Sequence, residues 1–166
     1  MKALISVFNK EKVVELAEGL NDLGIDIIAT DKTSRVIQQA SIPVTRVSEI
    51  TGFKEMLLGK IKTLHPLVHE KIMTSGIEIV AVNLIPIDPS ENRLDEMDVG
   101  GVALLKSGIK NFKDVAVIVN PDRYDMILKE LKEGEISYKT KLKLAIEASD
   151  SILNYESKVN KILKNL

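Results

Sequence analysis

The sequence predicts a three-layer α/β domain, a mainly parallel sheet between helices, and three observations carry that expectation. Short, nearly continuous apolar runs such as "KALISV" (2 to 7) and "IEIVAVNLIPI" (77 to 87) suit strands buried on both faces. Amphipathic stretches at helical spacing separate such runs, and the first half of the chain alternates strand, helix, strand, helix, strand. At 166 residues the chain fits one compact domain, without internal repeats, low-complexity segments or linker-like composition shifts.

Taken in order, residues 2 to 7 form a central strand. Val13, Val14, Leu16, Ala17 and Leu20 recur near helical spacing between Lys10 and Leu23, with Asn9 as the expected N-cap and Gly24 as the stop. "IDIIAT" (25 to 30) is a second strand and "TSRVIQQA" (33 to 40) a short helix. "IPVTRV" (42 to 47) reads as a third strand, its proline suiting a strand start or a sheet edge. "FKEMLLG" (53 to 59) fits a brief helix, but Pro66 lacks an amide donor and biases His65 away from helical angles, so a loop or broken turn is expected there. Residues 77 to 87 make an interior strand ended by "DPSEN", and "DVGGVALLKSGIK" (98 to 110) is a Gly-rich turn opening a helix. "DVAVIV" (114 to 119) is another strand. In "NPDRYDMILKELKEG" (120 to 134) Asn120 caps a helix with Pro121 at its first position. From Ser137 to about Leu163 the apolar residues keep helical spacing without a breaker, which predicts one long helix or two with a bend.

Composition excludes several classes of function. Twenty-three Lys plus Arg against twenty-four Asp plus Glu give a net charge of -1, so no global field attracts nucleic acid or an acidic membrane. Cysteine is absent, which removes disulfides, thiol nucleophiles and cysteine-ligated zinc; tryptophan is absent and aromatics are scarce, which argues against a base-stacking platform. The first residues match no secretory signal and no run reaches bilayer length, so a cytoplasmic protein is expected.

In a parallel α/β sheet, ligands lie at the carboxyl ends of the strands. Ser6, Asn9 and Lys10 follow the first strand, "TDKTS" (30 to 34) the second, and Asn83 ends the interior strand. Thr30, Thr33, a lysine and helix N-terminal amides suit a phosphate, although a helix cap in a polar turn reads the same way. "GKIKTLHPLVHEKI" (59 to 72) gathers lysines, Thr63 and both histidines. It is either a solvated basic loop or a segment whose Lys62 and Thr63 enter the pocket. His65 and His69 stand four apart, but Pro66 between them and the missing glutamate argue against a metal pair. Asp98 precedes the amides of Val99 to Gly101 and is either an N-cap or a ligand-facing carboxylate, while Gly100 and Gly101 permit close backbone approach. Lys110 is by default a surface lysine.

Together, "ALISV.NK" near the start, "VSEITGF.EML.GKIKTLHP..H" (47 to 69), "VNL.P" (82 to 86), "D.GG..LLK...KN" (98 to 111) and "NPDRYD" (120 to 125) resemble the inosine monophosphate (IMP) cyclohydrolase domain of the bifunctional purine-biosynthesis proteins that also carry an AICAR formyltransferase domain. The family's lysine-threonine motif is here Ile61-Lys62-Thr63-Leu64-His65-Pro66. The resemblance covers residues 1 to about 156. It implies a methylglyoxal-synthase-like fold, a single cyclohydrolase-like domain over 1–166 with no formyltransferase domain, and dehydrative ring closure of 5-formamidoimidazole-4-carboxamide ribotide to IMP. No metal or redox cofactor is needed for that reaction. By resemblance Lys62, Thr63, Asp98 and Lys110 are catalytic, the lysines handling protons and charge and Asp98 orienting the carboxamide and accepting its proton. Lys10, Thr33 and Lys60 hold the phosphate end, Ser6 and Thr30 line the same rim, and Asn83, Gly100 and Gly101 lie close to the base or the forming ring. A homodimer and a separate formyltransferase that supplies the substrate are also implied.

Four departures from the family, at five positions, stand out. Ile85 replaces a tyrosine, Phe8 a serine, Asp31-Lys32 a glycine pair, and Phe112 a histidine. Loss of one positioned hydroxyl lowers a rate by roughly 10²-fold, which impairs turnover without abolishing it. The alternative is therefore a purine-nucleotide-binding or regulatory relative that keeps the pocket. Methylglyoxal synthase activity ranks last, because "SEITGF" occupies the place of that family's glycine-aspartate segment.

Overall fold

The computed structural model describes residues 1–53, 62–91 and 93–166, with Lys62 described by its backbone alone. The five described strands are β1 (Lys2–Val7), β2 (Asp26–Ala29), β3 (Thr45–Arg46), β4 (Ile79–Asn83) and β5 (Ala116–Ile118). They form one all-parallel sheet in the order β3-β2-β1-β4-β5. The described α-helices are α1 (Val13–Asp22), α2 (Asp31–Gln39), α3 (Val47–Thr51), α4 (Pro66–Met73), α5 (Val99–Lys110), α6 (Tyr124–Glu133) and α7 (Tyr138–Lys164).

Each central strand feeds both faces of the sheet, as the period of two requires. Ala3, Ile5 and Val7 of β1 point toward Leu16 and Leu20 of α1, Ile37 of α2 and Ile127 of α6. Leu4 of β1, with Val80 and Val82 of β4, points toward Val68 and Ile72 of α4, Leu104 and Leu105 of α5, and Ala148 and Ile152 of α7. A third, smaller cluster joins Ile87 to Tyr155, Val159 and Ile162 at the far end of α7, with Leu84, Leu94 and Met97 packed against it. That cluster ties the segment between β4 and α5 to the last helix.

Several boundaries differ from the sequence expectation for visible reasons. Asn9 does not cap α1; its Oδ1 accepts from the Glu11 amide at 3.0 Å in a tight turn, and Lys12, with φ of 53°, precedes the helix. The expected third strand shrinks to Thr45–Arg46, because Pro43 cannot donate to the ladder and Val47 already starts α3. The region after Pro66, expected as a loop, is α4: proline occupies the first helical position, where no amide donor is needed, and His65 Nδ1 accepts from the Leu67 amide at 3.2 Å as a cap. Asn120 caps the short 3-10 turn Pro121–Arg123 that leads into α6. The tail is one helix, α7, capped by Ser137, whose Oγ accepts from the Thr140 amide at 3.2 Å. The brief helix expected over 53–59 lies, apart from Phe53, outside the described residues.

The topology fixes where a ligand goes. From β1 the chain builds outward to β2 and β3, then returns to the other side of β1 with β4 and β5. The connections on either side of the β1 and β4 pair run opposite ways and open a crevice at the strand ends, where Val7 is in register with Asn83.

Candidate functional site

That crevice holds a cavity of about 250 Å³, lined by Ser6, Val7, Phe8, Lys10, Thr30, Lys32, Thr63, Asn83, Ile85, Met97, Asp98, Gly100 and Gly101. Eight of the residues singled out from the sequence therefore converge: Ser6, Lys10, Thr30, Thr63, Asn83, Asp98, Gly100 and Gly101.

Three of them are held by bonds that explain the local fold. Asp98 is the N-cap of α5: its Oδ1 accepts from the Gly101 amide at 2.7 Å and its Oδ2 from the Ile85 amide at 3.2 Å. The carboxylate thereby joins the helix start to the loop after β4, beside the positive end of the helix dipole. Asn83 Oδ1 accepts from the Phe8 and Asn9 amides at 2.6 and 2.8 Å, and its Nδ2 donates to the Asn9 carbonyl at 3.0 Å. Most of its hydrogen-bonding capacity fastens the loop after β1, so Asn83 shapes the cavity wall. Lys10 folds back to donate from Nζ to the carbonyls of Val7 and, at 3.0 Å, Phe8. Partial burial, and secondly the charge of Lys32, lower its pKa below the ordinary lysine value.

Other expected residues fall elsewhere. Thr33 is 0% exposed and spends its hydroxyl on the end of β1, donating to the Val7 carbonyl at 3.3 Å and accepting from Thr30 Oγ1 at 3.3 Å. It supports the rim from beneath and does not line the cavity, whereas Lys32, one residue earlier, does. Lys110 is the exposed last residue of α5, about 18 Å of helix from Asp98, and does not line the cavity. Within one chain, the catalytic role that resemblance gave Lys110 has no geometry. Lys60 and the Lys62 side chain lie outside the described residues. Thr63, in the 3-10 turn Lys62–Leu64, is buried against the cavity.

Both histidines have local work. His65 caps α4 and its ring lies 5.8 Å from that of Phe53; His69 Nδ1 is 2.8 Å from Ser107 Oγ, joining α4 to α5. Among the described residues, no group of three or more His, Asp or Glu could hold a metal ion. Of the departures, Phe8, Lys32 and Ile85 face the cavity, whereas Asp31 turns to Ser48 Oγ at 3.4 Å and Phe112 packs on Tyr138 with ring centroids 5.8 Å apart. Met97 lines the cavity too, and only its place beside Asp98 hinted at that.

The cavity is thus cationic at one end, where Lys10 and Lys32 meet the N-terminus of α2. It is acidic at Asp98 and apolar along Phe8, Ile85 and Met97. A molecule with an anionic tail and a flat, partly apolar, hydrogen-bonding head fits that pattern.

A family model described as "MGS-like domain" matches residues 12–146. The chain belongs to the MGS-like domain family. Among curated relatives of this MGS-like chain, the "Bifunctional purine biosynthesis protein PurH" of Persephonella marina is 40% identical over 186 aligned positions, covering 98% of this chain and 36% of that protein. The protein of the same description from Aquifex aeolicus is 34% identical over 189 positions, covering 100% of this chain and 37% of its own length. The chain spans a little over a third of the length of these relatives. Since 189 aligned positions exceed 166 residues by 23, the Aquifex aeolicus protein carries at least 23 residues within the aligned region that have no counterpart here. A crystal structure described as that of ForH superposes with a TM-score of 0.87 at 29% identity, covering 98% of both chains. No helix among the described residues is long and apolar enough to cross a membrane.

Proposed function

We propose that this MGS-like domain is an IMP cyclohydrolase, closing 5-formamidoimidazole-4-carboxamide ribotide to IMP with loss of water. The reading is carried by the meeting of Lys10, Thr63, Asp98 and the first turn of α5 in one crevice, in a chain whose sequence relatives are described as purine biosynthesis proteins. The carboxamide nitrogen attacks the formyl carbon; the N–C bond forms as the nitrogen loses a proton, and the tetrahedral hydroxyl then leaves as water. Asp98, whose two oxygens each hold one backbone amide and keep further lone pairs, orients the carboxamide and accepts the proton. Lys62, next to Thr63, protonates the departing oxygen, and the dipole of α5 stabilises the oxyanion. Lys10 and Lys32 hold the phosphate. Lys110 takes no part in this scheme. A formyltransferase supplies the substrate, in the cytoplasm, and the working unit is a homodimer.

A second reading, a nucleotide-binding relative without turnover, draws on one observation: Phe8 and Ile85 put hydrocarbon in the cavity where the resemblance leads one to expect hydroxyls. The purified protein incubated with synthetic substrate, with IMP followed by absorbance and Lys62→Ala as the control, separates the two. Product from the native chain alone supports the cyclohydrolase. Folded protein that binds IMP and makes none supports the binding relative.

A further inference from the structure

We infer that Tyr155 is a positioning residue for Asp98, acting from α7 through the Asp98 backbone. The role it gives Asp98 rests on the cyclohydrolase reading; how Asp98 is held rests on geometry alone. The Tyr155 hydroxyl accepts from the Asp98 amide at 2.7 Å, a contact between residues 57 positions apart in the chain.

This contact answers a local deficiency. The amide of an N-cap residue lies outside the helix and needs its own acceptor, commonly the side chain of a Glu or Gln three residues on. Here that third position is Gly101, which has no side chain to offer. No side chain fits there either, because a Cβ on Gly101 would lie 2.6 Å from Asp98 Oδ2 and 2.8 Å from Leu84 Cδ2. The glycine that lets the carboxylate fold back over the helix start therefore denies the Asp98 amide its usual partner. The partner comes instead from the last helix.

The contact also controls where the carboxylate points. Asp98 has φ of -85° and ψ of 75°, with the Val99 amide donating to the Met97 carbonyl at 3.1 Å, so it sits at the centre of an inverse γ-turn. Tyr155 grips the peptide that joins Met97 to Asp98, and both residues line the cavity. The phenol itself is fixed, buried with Ile87, Val159 and Ile162, where burial also keeps its pKa above the ordinary tyrosine value. Rotation of that peptide would swing the Asp98 carboxylate off the Gly101 and Ile85 amides and out of line with a ligand. A rigid anchor 57 residues away removes that freedom.

The test is a double-mutant cycle of Tyr155→Phe and Asp98→Asn, read three ways. Amide hydrogen exchange at Asp98 rises about tenfold in Y155F, while the amides of β1 keep their native rates. The turnover number of Y155F falls about five- to tenfold with KM changed less than twofold, and Y155F costs less than twofold in the D98N background. A purely structural tyrosine gives losses that add to those of D98N, and that result, or native exchange at Asp98 in Y155F, overturns the inference. If the native chain makes no IMP, the cyclohydrolase reading fails, and the same cycle read on the Kd for IMP decides the coupling in its place: non-additive losses uphold it and additive ones overturn it. Should Y155F melt below assay temperature, a ring-fluorinated tyrosine at 155 weakens the phenol oxygen as acceptor without removing it. It then gives a smaller, graded loss on the same three readouts, and no loss overturns the inference.

Discussion

Asn83 closes the loop after β1 from the neighbouring strand, its one side-chain oxygen accepting both the Phe8 and the Asn9 amide at 2.6 and 2.8 Å. Its Nδ2 returns a bond to the Asn9 carbonyl. Three backbone groups of an exposed loop thus bond to one amide side chain, the Phe8 amide also reaching the Asn83 carbonyl at 3.3 Å. Asn83→Ala is expected to lower stability by about 1–2 kcal/mol, because water replaces those bonds in part, and to weaken nucleotide binding further by releasing Phe8 and Lys10. Asn83→Asp keeps the acceptor, loses only the bond donated to the Asn9 carbonyl, and falls between. Urea unfolding with IMP titration of the three proteins checks the order.

Gly101 is the position where packing and site geometry cannot be separated. A methyl group there meets the Asp98 carboxylate and Leu84 at 2.6 to 2.8 Å, well inside contact distance. Gly101→Ala is expected to destabilise by about 1–3 kcal/mol through overpacking and loss of the cap, and to lower turnover at least as far as Asp98→Asn does. A Gly101→Ala protein with native melting temperature and native turnover would show that the carboxylate does not lie over the helix start.

The legible part of this molecule follows from local rules. The apolar run at 2 to 7 became β1 and the middle of the run at 77 to 87, Ile79–Asn83, became β4, because strands buried on both faces need no alternation; residues 84 to 87 leave the sheet, and Ile85 among them lines the cavity. Asp98 before two glycines gave both the start of α5 and a wall of the cavity. What local rules hide is long-range. Thr33 looks like a phosphate ligand from its turn, yet the register of α2 against β1 buries it and exposes Lys32 to the cavity. Lys110 looks like a partner of Asp98 on one motif, but twelve helical residues carry it to the opposite end. Tyr155 has no motif at all, since its partner is set by where α7 crosses the loop after β4. The helix α4 was hidden by its proline, which ends a helix from within but favours one from its first position.

Tyr124, nearly fully buried at the start of α6, gives a pH dependence with a definite sign. Burial pushes its phenol up to about 12 from an unfolded value of 10.0. The folded state therefore keeps the proton while the unfolded chain releases it. The stabilisation is fully present below pH 10 and is lost as pH rises through 12, amounting to about 2–3 kcal/mol across that window. Tyr124→Phe should lose less stability than the native chain between pH 9 and 12. Urea unfolding at pH 9 and at pH 11.5, with phenolate absorbance as the titration monitor, measures the difference. Equal losses in both proteins would mean that Tyr124 titrates as an exposed tyrosine.

Lys32 sets binding against stability. It is the second residue of α2, where the helix dipole disfavours a cation, and its charge helps lower the pKa of Lys10 across the same cavity. Two lysines and a helix N-terminus facing one crevice repel each other until an anion arrives. Lys32→Met should therefore move two measurements in opposite directions. Without ligand the variant is more stable by about 0.5 kcal/mol, because the unfavourable charge at the helix start is gone. With ligand it binds IMP about three- to tenfold more weakly, and its affinity falls less steeply with added salt. Inosine, which lacks the phosphate, should bind the native and variant proteins alike. Equal loss of inosine and IMP binding would place Lys32 against the base and not the phosphate, and would move the anionic end of the ligand away from α2.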